Sequence, residues 1–286
     1  MLPIYSHRFP TLSAWLAVTF VMAGNCAHAA PIIAFTQNRS VAAIASASVG
    51  GSPDSDSALA AAPDFGAFNG SIAPSAVALS AASGQSASAT GSASQVSSLG
   101  TSSVSADSTA QALLGLTAGE NGSAAANPSS VFEFVFDIAE ASSYALTGSV
   151  NTQAIVTGGA GIPSLLNDLL FENVTTSTTL FQTLTNDESF SISGLLDPGR
   201  YRLSASATVD ASQASVSANA RTVTGISSYA FTLDVTSTSV PEPASLALVL
   251  TALALIGIGR TRIGIRATSM LRAPVTRTRK PTPRVQ

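Results

Sequence analysis

In Phe132-Glu133-Phe134-Val135-Phe136-Asp137 three phenylalanines fall at every second position. A strand points successive side chains to opposite faces, so all three rings share one face. Tyr144, Leu146, Gly148 and Val150 keep the same period after a turn at Glu140–Ser143. Leu166–Phe171, Leu180–Leu184 and Phe190-Ser191-Ile192 are further short apolar runs. Asp197-Pro198-Gly199 is a turn, with proline suited to its second position and glycine to a positive φ. Tyr201, Leu203 and Ala205 alternate after it, and Tyr229, Phe231, Leu233 and Val235 form the last such run. Six or seven short strands at this spacing predict an all-β fold, an antiparallel β-sandwich of jelly-roll or Ig-like kind. Phe132, Phe134, Phe136, Leu203, Phe231 and Leu233 are expected in one core.

The preceding stretch is different. Almost half of residues 31–128 are Ala or Ser. A flexible stalk is one reading of such composition. Against it, Ser86-Ala87-Ser88-Ala89-Thr90 recurs unchanged at Ser204–Thr208, inside the strand-like half. Ser/Ala alternation makes one small apolar face and one small polar face, fit for a thin sheet layer. Low charge also favours order over a solvated tail. The sandwich is therefore expected over 75–239, with 30–74 a loosely ordered Ala/Ser-rich segment.

Residue inventory then excludes most chemistry. Of the 286 residues only 10% are charged, against about 25% in an average domain. From Ala30 to Ser239 there is no His, Cys, Met, Trp or Lys: His7, Trp15, Cys26 and His28 precede this region and Lys280 follows it. No Ser-His-Asp triad, Cys-His pair, disulfide framework or ordinary zinc site can be assembled. Only carboxylates remain, and a retaining glycosidase needs two of them about 5–5.5 Å apart. Asp187-Glu188, the one adjacent acidic pair, sits in Thr185–Ser189 and reads as a polar turn. Asp54-Ser55-Asp56 could offer oxygens to Ca²⁺, but the glycine and distal glutamate of an EF-hand loop are missing. It reads as a solvated loop. Fifteen acids against four arginines in this region also argue against nucleic acid. The expectation is no enzyme, no cofactor and no metal.

Both ends carry targeting patterns. Residues 1–29 have the form of a signal peptide: His7 and Arg8, an apolar run from Leu12 to Gly24, then Ala27-His28-Ala29. Ala27 and Ala29 are the small residues that signal peptidase accepts, which places cleavage before Ala30. The run is short of the ~20 residues a membrane span needs, and Asn25 before Cys26 does not suit a lipobox. At the other end, Val240-Pro241-Glu242-Pro243 is followed by sixteen uncharged residues, Ala244 to Gly259, and then by Arg260, Arg262 and Arg266. Sixteen helical residues cover about 24 Å of the ~30 Å hydrocarbon core, and flanking arginines can snorkel across the difference. One transmembrane helix is expected over 244–259, with a basic cytoplasmic tail at 267–286 and residues 30–239 outside the inner membrane.

The arrangement at 240–266 resembles the PEP-CTERM sorting signal of exopolysaccharide-producing Gram-negative bacteria. Ser245-Leu246 also stands where that family commonly has Ser-Leu. The resemblance implies that an exosortase recognises Val240, Pro241, Glu242 and Pro243, with Arg260, Arg262 and Arg266 as the membrane stop. The extension to Gln286 departs from it, since members usually end soon after the arginines. Two prolines around one residue fix φ and remove backbone donors, keeping the segment extended as a processing enzyme requires. The implied function is a non-catalytic exported protein of the cell surface or extracellular matrix, held transiently in the inner membrane and associated with exopolysaccharide in a biofilm. Its export partners would be signal peptidase and exosortase. A carbohydrate- or calcium-binding surface module is the alternative.

Overall fold

The computed structural model describes residues 31–117, 121–158, 161–183, 186–215 and 219–238; 78% of these lie in strands and none in a helix. Along the chain the strands are β1 (Ile32–Val49), β2 (Ser52–Ala61), β3 (Phe68–Ile72), β4 (Ser75–Leu79), β5 (Ser86–Leu99), β6 (Ser103–Leu116) and β7 (Gly122–Ala126). They continue as β8 (Ser129–Ile138), β9 (Ser142–Thr157), β10 (Ser164–Asn173), β11 (Thr178–Gln182), β12 (Glu188–Leu196), β13 (Gly199–Ser215) and β14 (Arg221–Ser237). All pairings are antiparallel. The first sheet has the order β11-β10-β13-β7-β1-β2, with β8 also between β13 and β1. The second has the order β12-β9-β14-β6-β5-β3, with β4 also on β5.

Each sheet contains one lane broken at a proline. β7 and β8 share the lane between β1 and β13, interrupted at Asn127-Pro128. Proline has no N–H to give the ladder. The break is still satisfied, because Asn127 N donates to Ile44 O (2.9 Å) and Val209 N donates to Pro128 O (3.0 Å). In the second sheet Ala73-Pro74 divides β3 from β4, and Gly91 N donates to Pro74 O (3.1 Å). The β1–β2 hairpin turns on Gly50 and Gly51, at φ 56° and 81°. Two positive φ values in a two-residue loop match the twist of the flanking strands, and glycine takes them at no steric cost.

The inward faces form one core that contains all six of the apolar residues expected there. Phe132 of the first sheet meets Phe231 of the second edge-on, centroids 5.1 Å apart. Phe134 stacks on Phe136 (5.2 Å), and Phe171 meets Tyr144 across the sheets (5.3 Å). Elsewhere in the core the filling changes to alanine. Ala45 and Ala47 of β1, Ala124 and Ala126 of β7, and Ala110 and Ala112 of β6 are all buried. This thin layer is what Ser/Ala alternation can build.

The structure departs from the expected organisation in three ways. Residues 30–74 were expected to be loosely ordered, yet this segment carries β1, β2 and β3. The cause is in β1, where Val41, Ala43, Ala45, Ala47 and Val49 face inward at period two. Strands are also more numerous and longer than expected: fourteen among the described residues, β13 and β14 having 17 each. Asp197-Pro198 joins β12 to β13 where a turn was expected, but it passes from one sheet to the other instead of closing a hairpin.

Candidate functional site

The residues with an expected sorting or cleavage role all lie outside the described residues: Ala27, Ala29, Val240, Pro241, Glu242, Pro243, Arg260, Arg262 and Arg266. So does the apolar run 244–259; no helix among the described residues is long and apolar enough to cross a membrane. The fold does define where the chain leaves the sandwich. β14 lies inside the second sheet, between β9 and β6. Beyond it, Thr238 donates from its N and its Oγ1 to Ala141 O (3.2 and 2.6 Å). Val235 N donates to Ser102 O (2.8 Å), and Ile32 N donates to the adjacent Thr101 O (3.0 Å). The first and last strands thus meet the same loop at one end of the sandwich.

The outer face of the second sheet is an array of hydroxyls. The strand registers place Ser191, Thr147, Thr232, Ser105 and Ser98 in one row across five strands. Asn151, Ser228, Thr109 and Ser94 form another. Neighbouring strands lie about 4.8 Å apart, so each row repeats at roughly that spacing. An open depression of about 370 Å³ lies on this face, bordered by Val96, Ser105, Asp107, Thr147, Ser149 and Thr232. Ala230 is the small outward residue among them. The surface can offer many neutral donors and acceptors and carries few charges.

The outer face of the first sheet holds the ion pairs. Arg200 grips Asp137 with two bonds, Nε to Oδ1 (2.8 Å) and Nη2 to Oδ2 (3.1 Å), and lies 3.5 Å from the centroid of the Phe35 ring. The hydrogen bond from Arg200 holds the Asp137 carboxyl below its usual range. Arg202 reaches Glu172 (2.9 Å) and, more loosely, Glu133 (3.9 Å). These groups are about one-third exposed, so the pairs are worth little individually.

The acidic pairs singled out in the sequence have structural employment. Asp54-Ser55-Asp56 is not a loop: it lies in the edge strand β2. Asp54 Oδ2 accepts from Val77 N (2.8 Å) and Asp56 Oδ2 from Ser75 N (3.2 Å), both on β4 of the other sheet. Asp187 falls in a bend, as expected, and its Oδ1 accepts from Thr152 N (2.7 Å), while Glu188 opens β12. No group of three His, Cys, Asp or Glu among the described residues could hold a metal ion.

Two buried polar centres lie in the sandwich; Tyr229 is buried as its run with Phe231 and Leu233 implies, whereas the burial of Arg39 was not anticipated. Arg39 is only 1% exposed. Its Nη2 donates to Asp64 O (2.6 Å) and Gly66 O (2.8 Å), Nη1 to Ser97 Oγ (3.2 Å) and Nε to Gln37 Oε1 (3.0 Å). Burial lowers its pKa, and Asp64 acts in the opposite sense. The signal for it was present: Arg39 shares inward parity with Val41, Ala43 and Ala45. The second centre is Tyr229, whose hydroxyl accepts from Gln95 Nε2 (2.8 Å) and lies 3.3 Å from Ser130 Oγ. Burial pushes this phenol up to about 12, although hydrogen bonds from Ser130, Ser108 and Gln95 pull it down. Tyr201 is buried as well, and Tyr144 is half-buried against Phe171. Comparison with family models, curated proteins and solved structures finds no match.

Proposed function

We propose that the chain is a non-catalytic exported protein of the cell surface or extracellular matrix, sorted by an exosortase and associated with exopolysaccharide. One observation carries the reading. Val240-Pro241-Glu242-Pro243, an uncharged run and an arginine cluster begin two residues after Thr238, the residue that ties off the last strand. A processing enzyme could therefore reach Val240–Pro243 without unfolding a described strand. The absence of His, Cys and Lys from residues 30–239 supports a role without catalysis.

The strand order supports a jelly-roll form for the sandwich. From β6 to β14, counting β7 and β8 as one lane, eight strands divide into two four-stranded sheets, β12-β9-β14-β6 and β11-β10-β13-β8. The connection from β10 to β11 is the single hairpin among them, and every other connection changes sheet. Lectin and capsid domains use jelly rolls. β1 to β5 extend both sheets on one side.

A C-terminal epitope tag tests the sorting. In a host with active exosortase the tag should be lost and the mature protein should run smaller than the signal-cleaved form. Glu242→Ala, or Pro241→Ala with Pro243→Ala, should keep the tag attached and the protein in the inner membrane. A tag retained at full stoichiometry on the wild type would leave only a plain anchor.

The hydroxyl rows and depression of the second sheet favour a carbohydrate-binding module as the second reading. Binding of a neutral polysaccharide that is lost in Thr147→Lys and Thr232→Lys would support it. The calcium version is weaker, because Asp54 and Asp56 already accept backbone N–H groups.

A further inference from the structure

We propose that the free edge of β12 is a self-association surface, where a second copy of this chain pairs antiparallel about a two-fold axis at Ile192. The sandwich has four edge lanes among the described residues: β2, β3 with β4, β11 and β12. Unprotected edges invite pairing with another chain, and proteins blunt them with charge, proline, bulges or short strands. Three of the four are blunted. β2 carries Pro53, Asp54 and Asp56. The lane of β3 and β4 is broken at Ala73-Pro74, and the same two aspartates occupy the Ser75 and Val77 N–H groups. β11 has five residues, and a register shift between Phe171 and Glu172 disturbs its pairing with β10.

β12 has neither proline nor bulge, and its one charge, Glu188, stands at its first residue. It runs for nine residues, and Ser189–Leu196 contains no charge and no proline. Its pairing with β9 is unbroken from Glu188 to Leu196. The flank beside it is apolar and incompletely covered: Leu180, Phe181 and Ile192 are half-buried, and Leu195 is 75% exposed. A second copy is the occupant that fits. On an axis at Ile192 Glu188 falls opposite Leu196, so within the strand no like charges are opposed, whereas β2 would bring its own aspartates together. A two-fold axis at Ile192 sets Ile192 opposite Ile192 and Ser191 opposite Ser193. The contact is isologous, so it closes as a dimer instead of growing into a filament. It also makes the two second sheets continuous.

Sedimentation of the full chain in mild detergent, in a Cys26→Ser background, tests this directly. The chain should sediment as a dimer. Oxidation of Ile192→Cys should give a covalent dimer, since directly opposed Cβ atoms lie about 4.5–5.5 Å apart. Ser55→Cys on β2 should give none. Ser191→Lys with Ser193→Lys opposes lysines in the exposed outer layer and should weaken association by about tenfold or more, with the β-sheet spectrum unchanged. Mixing that variant with Ser191→Glu/Ser193→Glu should restore it. A monomeric wild type, a dimer indifferent to the lysines, or crosslinking through Ser55→Cys would each overturn the proposal.

Discussion

Arg39 offers the sharpest test of what holds the β1 flank together. Its guanidinium is buried without a carboxylate in contact, and two of its four bonds are short bonds to the carbonyls of Asp64 and Gly66. Bonds from a charged donor contribute about 1.5–3 kcal/mol each, so those two give roughly 3–6 kcal/mol. Desolvating the guanidinium cancels several kcal/mol of that. Removing the charge recovers the desolvation cost and leaves the carbonyls without their donors, at about 1–3 kcal/mol each if they stay buried. Residues 64–66 are exposed and can rehydrate, which puts the loss at the low end. Arg39→Met, which keeps the apolar stem, should therefore cost about 2–3 kcal/mol. Arg39→Ala should cost about 3–5 kcal/mol, because a cavity is added. For a domain of this size each kcal/mol lowers Tm by about 2–4 °C, so the methionine variant should melt about 4–12 °C below wild type. Urea and thermal unfolding of the purified protein measure both. Proteolysis should also open the chain at 62–67 first in either variant. A methionine variant within about 0.5 kcal/mol of wild type would show that the bonds merely offset desolvation, and the reasoning would fail.

Three further outcomes are expected. Tyr229 keeps its proton in the folded state to about pH 12, while an unfolded phenol releases it near 10. The stability it contributes is therefore intact below pH 10 and falls by about 2–3 kcal/mol as pH rises through 12; Tyr229→Phe should abolish the latest phenolate absorbance step. Gly148→Ala should strongly destabilise the fold, because its Cβ would sit 2.7 Å from the Phe190 ring and against the Ala230 carbonyl; denaturant midpoints should drop by the equivalent of about 3 kcal/mol or more. Phe134→Ala should cost about 3–5 kcal/mol, measured by the same midpoints, since Phe134 has no exposed surface and stacks on Phe136.

Period-two alternation made the second half of the sandwich legible, since Phe132, Phe134 and Phe136 show their facing without reference to anything else in the chain. β1 was hidden by a local irregularity. Its register with β8 shifts between Ala34 and Thr36, and Ile33, Ala34, Phe35 and Thr36 are all exposed. A bulge adds one residue and breaks the two-residue period at that point. β2 was hidden for another reason: at a sheet edge its first six residues are exposed on both faces, so no alternation is imposed. The hydroxyl rows were not legible at all. Ser98 and Ser191 share a row only because β5, β6, β14, β9 and β12 are neighbours in that order, a fact of topology and not of local pattern. Arg39 could have been read from its parity with Val41, but an isolated arginine on an apolar face has no visible partner until the 62–67 loop is folded over it.

The position of the last strand bears on the sorting proposal. β14 is hydrogen-bonded along nearly its whole length to β9 on one side and to β6 on the other. At about 3.3 Å per residue its 17 residues run some 56 Å through the sheet. Tension applied beyond Thr238 would act along this strand. Parallel to the strand, such a load shears two ladders at once, whereas a load on an edge strand such as β12 could peel its single ladder bond by bond. Thr238, bonded to Ala141 through both N and Oγ1, adds a clasp at the point of exit. A protein held by its C-terminal segment, even transiently, would thus be held by an interior strand. The first described strand also starts at this end, because Ile32 and Val235 bond to adjacent residues of one loop. The turn at Gly50-Gly51 lies 18 residues of β1 away, and is thus at the end of the sandwich away from Thr238.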